Sequence, residues 1–257
     1  MKVTVCELPD DRTDFSNIWA SLCNHCHEQK SEFVLLPEMP FSAWLAATQN
    51  ENDEEWNNSI QSHLEWICRL PELGVGVVAG SRPVLHDGER YNVGFIWTEE
   101  GELVDMHAKR YLPEEPGFWE ATWYRCGTDE FRTVQTPKGK IGFLICTELW
   151  FNHHARNYGK KGVQLILCPR ATEGRTVEKW VIGGRAASVV SGAYCLSSNR
   201  SWNTEAGKDN SAMGWIIEPV DGRVLGLTSS AQPYLTINID LAEADYAKTT
   251  YPRDVIG

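Results

Sequence analysis

The sequence predicts a single α/β domain built around a mixed β-sheet. Short apolar, β-branched segments alternate with helical patterns along the whole chain, as in layered α/β domains. Neither a repeat nor a linker interrupts them, so residues 1–257 read as one domain; such domains often reach ~250 residues. Strands late in the chain read as hairpins, which require antiparallel neighbours and hence a mixed sheet.

Strands are expected at Lys2–Glu7, Phe33–Leu36, Val75–Gly80, Asn92–Trp97, Leu103–His107, Phe131–Thr136, Ile141–Ile145, Leu165–Cys168, Tyr194–Ser198, Met213–Glu218, Arg223–Leu227 and Tyr234–Ile239. Gly, Pro, Asn or Asp bounds several of them, as is usual at strand ends. Helical patterns fall near Asp14–Lys30, Glu54–Leu70, Asn152–Lys161 and Thr176–Gly192. The first is the clearest: Phe15, Ile18, Trp19, Leu22, Cys23 and Cys26 recur at helical spacing and share one face. Asp14 and Thr176 are the N-cap candidates. Gly183 and Gly184 weaken the last helix, which makes sense if another backbone packs closely there.

Composition narrows the function. A formal net charge of −11 argues against nucleic acid or an anionic membrane surface as partner. No apolar run approaches the ~20 residues of a membrane helix. The first residues, Met1-Lys2-Val3-Thr4-Val5-Cys6, read as a strand rather than a signal peptide. The eight cysteines are therefore expected to be reduced thiols in a cytoplasmic protein.

Cys23-Asn24-His25-Cys26-His27 matches the C-x-x-C-H spacing of covalent haem attachment. Both cysteines, however, lie on the apolar helix face, and no second ligand pair follows at zinc spacing. Core packing is the expected role, and a redox function for this pair is disfavoured. Cys146 is different. It closes the apolar segment Ile141–Ile145, where a strand-to-turn junction presents a side chain on a rigid support and neighbouring N–H groups face a developing oxyanion. Phe33–Pro37 likewise runs into Glu38, with Pro37 ending the ladder. Lys109 follows the strand ending at His107. Alone, each residue reads as core packing or a surface charge. Together, three strand ends on one rim supply a nucleophile, a base and a cation.

The segments Leu36-Pro37-Glu38, Lys109–Glu120, Gly142–Glu148, Gly162–Pro169 and Gly192–Arg200 resemble, in order, those of the nitrilase or carbon–nitrogen hydrolase superfamily. The resemblance implies a four-layer α-β-β-α sandwich with two mixed β-sheets. It also implies a Glu–Lys–Cys triad at Glu38, Lys109 and Cys146, with Glu120 as a second glutamate. Dimers or higher homo-oligomers are implied as well. The sequence departs from the family at Thr147, where an aromatic residue is usual, at Asn152-His153 in place of Pro-Glu, and at Ser188 in place of a glutamate.

The expected reaction is hydrolysis of a small linear amide through a thioester on Cys146, with the Thr147 main-chain N–H helping Lys109 hold the oxyanion. Carbamoyl and nitrile substrates use the same triad, and a non-catalytic binding scaffold is the alternative from another class. No cofactor is called for, and no metal, since Lys109 supplies the fixed positive charge. Trp119, Trp123 and Trp150 suggest an aromatic lining, with structural packing as the other reading. Arg170, after Pro169, is a candidate for binding a substrate carboxylate; pairing with a nearby acid is the alternative.

Overall fold

The computed structural model describes residues 1–128, 130–202 and 213–255. In chain order the elements are β1 (Lys2–Pro9), α1 (Phe15–Gln29), β2 (Phe33–Leu35), α2 (Asp53–Ile67), β3 (Val77–His86), β4 (Glu89–Thr98) and β5 (Leu103–Ala108). A small hairpin, β6 (Glu114–Glu115) and β7 (Phe118–Trp119), leads into the single turn α3 (Glu120–Trp123). Then come β8 (Thr133–Thr136), β9 (Gly139–Phe143), α4 (Asn152–Lys160), β10 (Leu165–Arg170), α5 (Val177–Ser191) and β11 (Tyr194–Ser201). The chain closes with β12 (Trp215–Ile217), β13 (Val224–Leu227), β14 (Tyr234–Asn238) and α6 (Leu241–Ala247).

The fold is mixed α/β, as expected. Among the described residues, twelve strands form one hydrogen-bonded set whose main path runs β5-β4-β3-β2-β1-β11-β10-β9-β8. β1 pairs in parallel with β2 and antiparallel with β14 along most of its length. Only its end, Glu7–Pro9, reaches β11, at Asn199–Ser201. β9, β10 and β11 are parallel, whereas β3–β4–β5 and β11–β12–β13 are antiparallel.

Burial follows strand alternation. Val3, Val5, Phe33, Leu35, Val77 and Ala79 share one core cluster with Ile141, Phe143, Leu165 and Leu167. The intervening residues Val34, Leu36, Val78, Phe95 and Trp97 pack instead with Trp19, Leu22, Cys23 and Cys26 of α1. The C-x-x-C-H cysteines are thus core residues, free and buried.

Several boundaries differ from the sequence expectation. β3 and β4 form a hairpin longer than anticipated, closed by Asp87-Gly88 with φ of 51° and 78°. This is the two-residue turn that Asp-Gly favours. Asp14 and Thr176 occupy the N-cap positions of α1 and α5, as expected, but neither side chain makes a capping hydrogen bond. The Asp14 carboxylate accepts from the Asn17 side chain, 2.5 Å away, and the Thr176 hydroxyl donates to the Glu173 carbonyl. Asn52 does cap α2, accepting from Glu54 N at 2.8 Å. At Gly183 and Gly184 the close neighbours are side chains rather than backbone. A Cβ on Gly183 would lie 2.9 Å from the Trp150 ring, and one on Gly184 would lie 3.0 Å from Trp215 and Ile217.

Gly142 of β9 provides a test of the packing. A Cβ there would sit 2.7 Å from the Tyr158 ring, and that ring is pinned by its hydroxyl donating to the Phe143 carbonyl at 2.8 Å. Gly142→Ala should cost about 1–3 kcal/mol through overpacking, read as a lower urea midpoint with an unchanged m-value.

Candidate active site

Three strand ends meet at one rim. β2 stops at Leu35, and Pro37 interrupts the ladder before Glu38, whose own N–H reaches the Arg170 carbonyl at 3.3 Å. Lys109 directly follows β5, and its N–H is held by the Asn92 carbonyl at 2.8 Å. All three side chains of the expected triad, Glu38, Lys109 and Cys146, are buried here.

The Lys109 ammonium donates to Glu38 Oε1 at 2.7 Å and to Glu120 Oε2 at 2.5 Å. Glu120 opens the turn α3, and its Oε2 also accepts from the Tyr124 hydroxyl. Glu38 Oε1 accepts a second bond from Asn92 Nδ2 at 2.8 Å. Glu38 Oε2 and Glu120 Oε1 are buried with no protein partner. Each carboxylate therefore fixes the lysine with one oxygen and leaves the other without a protein partner.

Electrostatics follow from this arrangement. Burial works against the Lys109 ammonium, but the Glu120 and Glu38 carboxylates outweigh it and hold its pKa above the ordinary value. Burial, reinforced by Glu38, pushes the Glu120 carboxyl up to about 7 despite Lys109. The Cys146 thiol is driven upward by burial and by Glu38, with Lys109 opposing. At neutral pH the Cys146 side chain is therefore a thiol.

Cys146 lies farther from its strand than the sequence suggests. The ladder ends at Phe143, and Cys146 begins a 3-10 turn, Cys146–Trp150. Its φ of 48° places it in the left-handed region, which is disfavoured for a residue bearing a Cβ. Such strain persists where the surroundings over-determine it. Glu148 does so here: it accepts from Ile145 N and Arg110 N, both at 2.7 Å, and from His107 Nε2 at 2.8 Å. One buried carboxylate thus ties the cysteine turn to the segment following Lys109.

A cavity of about 210 Å³ opens beside Cys146, with Glu120, Thr147, Trp150, Ala171, Thr172 and Lys179 among its walls. Trp150 lines it and packs on Trp180 at 4.6 Å. Trp119 is not among its walls, whereas the neighbouring Phe118 is. Trp123 is buried, its indole N–H donating to the Thr48 carbonyl. Arg170 does not reach the cavity. Its guanidinium is buried on Ser197 Oγ, Thr172 Oγ1 and the Met213 carbonyl, and lies 3.9 Å from the Trp215 ring centroid. The Arg170 donors named here are directed away from the cavity, and none of their named partners is an acid. Among the described residues, Arg175 and Lys179 are the cations lining the cavity.

Other contributors were not singled out from sequence. Arg200 donates to the Glu38, Met39 and Ser42 carbonyls and so fixes the loop carrying Glu38. Asn199 accepts from Thr172 N at 3.0 Å and holds the cavity wall. At the family departures, the Ser188 hydroxyl lies 2.7 Å from both the Ala193 and the Glu218 carbonyl and shares its one hydrogen between them, and His153 lies on His154, which stacks on Phe131 at 3.6 Å. Thr147 donates its hydroxyl to the Tyr111 carbonyl at 2.5 Å. Among the described residues, no group of three or more His, Cys, Asp or Glu side chains is placed to hold a metal ion, and no helix is long and apolar enough to cross a membrane.

Glu120 gives a pH-dependent expectation. The unfolded chain releases its proton near 4.5 and the folded chain near 7. Its contribution to stability is thus full below the lower value and is lost as pH rises through this window. Glu120→Gln should lower the loss of unfolding free energy between about pH 5 and about pH 8, measured by urea titration. An identical pH slope in the variant would contradict the shift.

Comparison with known proteins identifies the family. The model of the carbon-nitrogen hydrolase family matches residues 2–248. Similar relatives include omega-amidase NIT2 of Xenopus tropicalis, 26% identical over 86% of this chain and 80% of that protein. Citrullinase of Francisella tularensis is 24% identical over 83% of this chain and 79% of its own. A solved carbon-nitrogen hydrolase from Helicobacter pylori G27 superposes with a TM-score of 0.83 at 19% identity, over 98% of this chain and 94% of that one. With a buried Glu–Lys–Glu cluster beside a cysteine turn and a family match across almost its entire length, the chain belongs to the carbon-nitrogen hydrolase family.

Proposed function

We propose that the protein hydrolyses the carbon–nitrogen bond of a small linear amide, with Cys146 as nucleophile, Glu38 as general base and acid, and Lys109 and Glu120 as their partners. The carrying observation is the bridged lysine: Nζ donates to Glu38 and to Glu120, and an ammonium has a third hydrogen to give. Glu38, through its unpartnered Oε2, takes the thiol proton as Cys146 sulfur bonds to the substrate carbonyl carbon. The oxyanion is held by the third Lys109 hydrogen and the Thr147 main-chain N–H; such a donor is typically worth about 3–4 kcal/mol of barrier. Glu38 returns the proton to the leaving nitrogen, and the carbon–nitrogen bond breaks. Water, deprotonated by Glu38, then cleaves the thioester to a carboxylic acid and restores the thiol. Glu120 orients Lys109 and offers Oε1 to a substrate N–H. Trp150 lines the acyl pocket.

The surrounding architecture supports a finer reading. The strands divide into two mixed sheets stacked face to face in a four-layer α-β-β-α sandwich, with residues 1–257 as one domain; residues 256–257 lie outside the described residues. Support comes from the alternation that sends Val3, Val5 and Leu35 toward Phe143 and Leu167 but Val34 and Leu36 toward α1. Eight free thiols suit the reducing cytoplasm. Assembly as a homodimer or larger homo-oligomer completes the reading.

Ammonia release from a panel of amides, carbamoyl amino acids and nitriles tests the activity. Turnover of an amide that disappears in Cys146→Ala is expected; undiminished turnover in the variant would overturn the mechanism.

A further inference from the structure

Beside the Cys146 cavity lies a second one of about 370 Å³, walled by Trp44, Phe118 and Trp202 with Glu173 and Arg175. Phe118, Glu173 and Arg175 belong to the walls of both cavities, so the two adjoin. The three rings stand at steep angles: Trp44–Phe118 at 6.3 Å and 57°, Trp44–Trp202 at 6.4 Å and 81°, Phe118–Trp202 at 6.4 Å and 90°. Both indoles are anchored, Trp44 Nε1 on the Gly117 carbonyl and Trp202 Nε1 on the Thr172 carbonyl.

This geometry selects a shape. A flat aromatic ligand needs parallel walls, and none of these pairs is parallel. With centroids 6.3–6.4 Å apart, a group seated among the three rings lies within the roughly 6 Å reach of cation–π attraction of each. The corner therefore fits a compact, rounded group. Its charge preference follows from the negative ring faces. Arg175 pairs with Glu173 and is 79% exposed. The Arg200 guanidinium lies 5.7 and 5.9 Å from the Trp44 and Trp202 rings, but it is buried, paired with Asp10, and no part of the cavity wall.

We propose that the substrate of the Cys146 centre carries an alkylated ammonium group, seated in the corner formed by Trp44, Phe118 and Trp202. This rests on Cys146 being the nucleophile of an amide hydrolase, so binding and turnover are measured separately. Calorimetric titration of Cys146→Ala compares choline with its neutral isostere 3,3-dimethylbutan-1-ol. Choline should bind at least about tenfold more tightly, as a desolvated cation–π site allows. Adding Trp202→Leu or Phe118→Leu should remove that preference, with near-UV circular dichroism showing that each variant is folded. In the wild type, 4-(trimethylammonio)butanamide should exceed 5,5-dimethylhexanamide in kcat/KM by about tenfold or more. Equal binding of the two alcohols, no binding of either, or a preference retained in both folded variants overturns the cation corner. Equal kcat/KM overturns the substrate assignment. Turnover of neither amide with choline binding intact faults the hydrolase reading and takes the substrate assignment with it, leaving only a cation site.

Discussion

Cys146→Ala should reduce kcat for amide hydrolysis by about 10⁴- to 10⁶-fold, the scale seen when the nucleophile of an interdependent catalytic set is removed. No other described side chain can take its place: the unpartnered oxygens of Glu38 and Glu120 can accept protons, but the thioester requires sulfur at the turn. Intact mass under substrate should show an acyl adduct on the wild type and none on the variant. The same position separates function from stability. With φ at 48°, a residue bearing a Cβ is strained by roughly 1–2 kcal/mol, a cost glycine avoids. Cys146→Gly should therefore be inactive yet more stable than Cys146→Ala. Comparable urea midpoints for the two would mean that the turn stores no strain.

That strain was not legible in the sequence. The apolar run Ile141–Ile145 signals a strand, but an unbroken apolar run does not say where pairing stops. The ladder ends at Phe143, and Cys146 belongs to the turn that Glu148 clamps. The rim itself was legible, because Pro37 marks one strand end and the alternation of elements marks the others. What escaped are contacts made across long separations. Asn92 reaches Glu38 across 54 residues and His107 reaches Glu148 across 41, and no local pattern encodes that. Arg170 illustrates a related limit. Its place at the end of β10 was readable, but β10 is buried throughout, so no polar alternation reveals which way the side chain points. It points to Ser197 and Trp215 rather than into the cavity. Asp87-Gly88, by contrast, is a hairpin signal that was available and whose meaning the long β3–β4 ladder makes plain.

Lys109→Met should be the most destabilising single change at the site, and its cost should depend on pH. The ammonium, wholly buried, is shared by Glu38 and Glu120, themselves wholly buried. Removing it leaves two carboxylates without their cation, and breaking a buried pair typically costs about 3–5 kcal/mol. Glu120, whose carboxyl Lys109 otherwise holds down, can escape part of this by binding a proton in the folded state. The variant therefore loses stability progressively as pH rises above the ordinary carboxylate range. Urea titrations should show a wider gap from wild type near pH 8 than near pH 5, and a gap independent of pH would mean that the carboxylates are compensated by other groups. Lys109→Arg should not restore turnover. A planar guanidinium directs its donors in one plane, whereas the site uses a compact cation to reach Glu38 Oε1, Glu120 Oε2 and, in the proposed mechanism, the oxyanion from a single nitrogen. The arginine variant should thus recover part of the stability but little of the activity, separating charge compensation from the catalytic placement of one ammonium hydrogen.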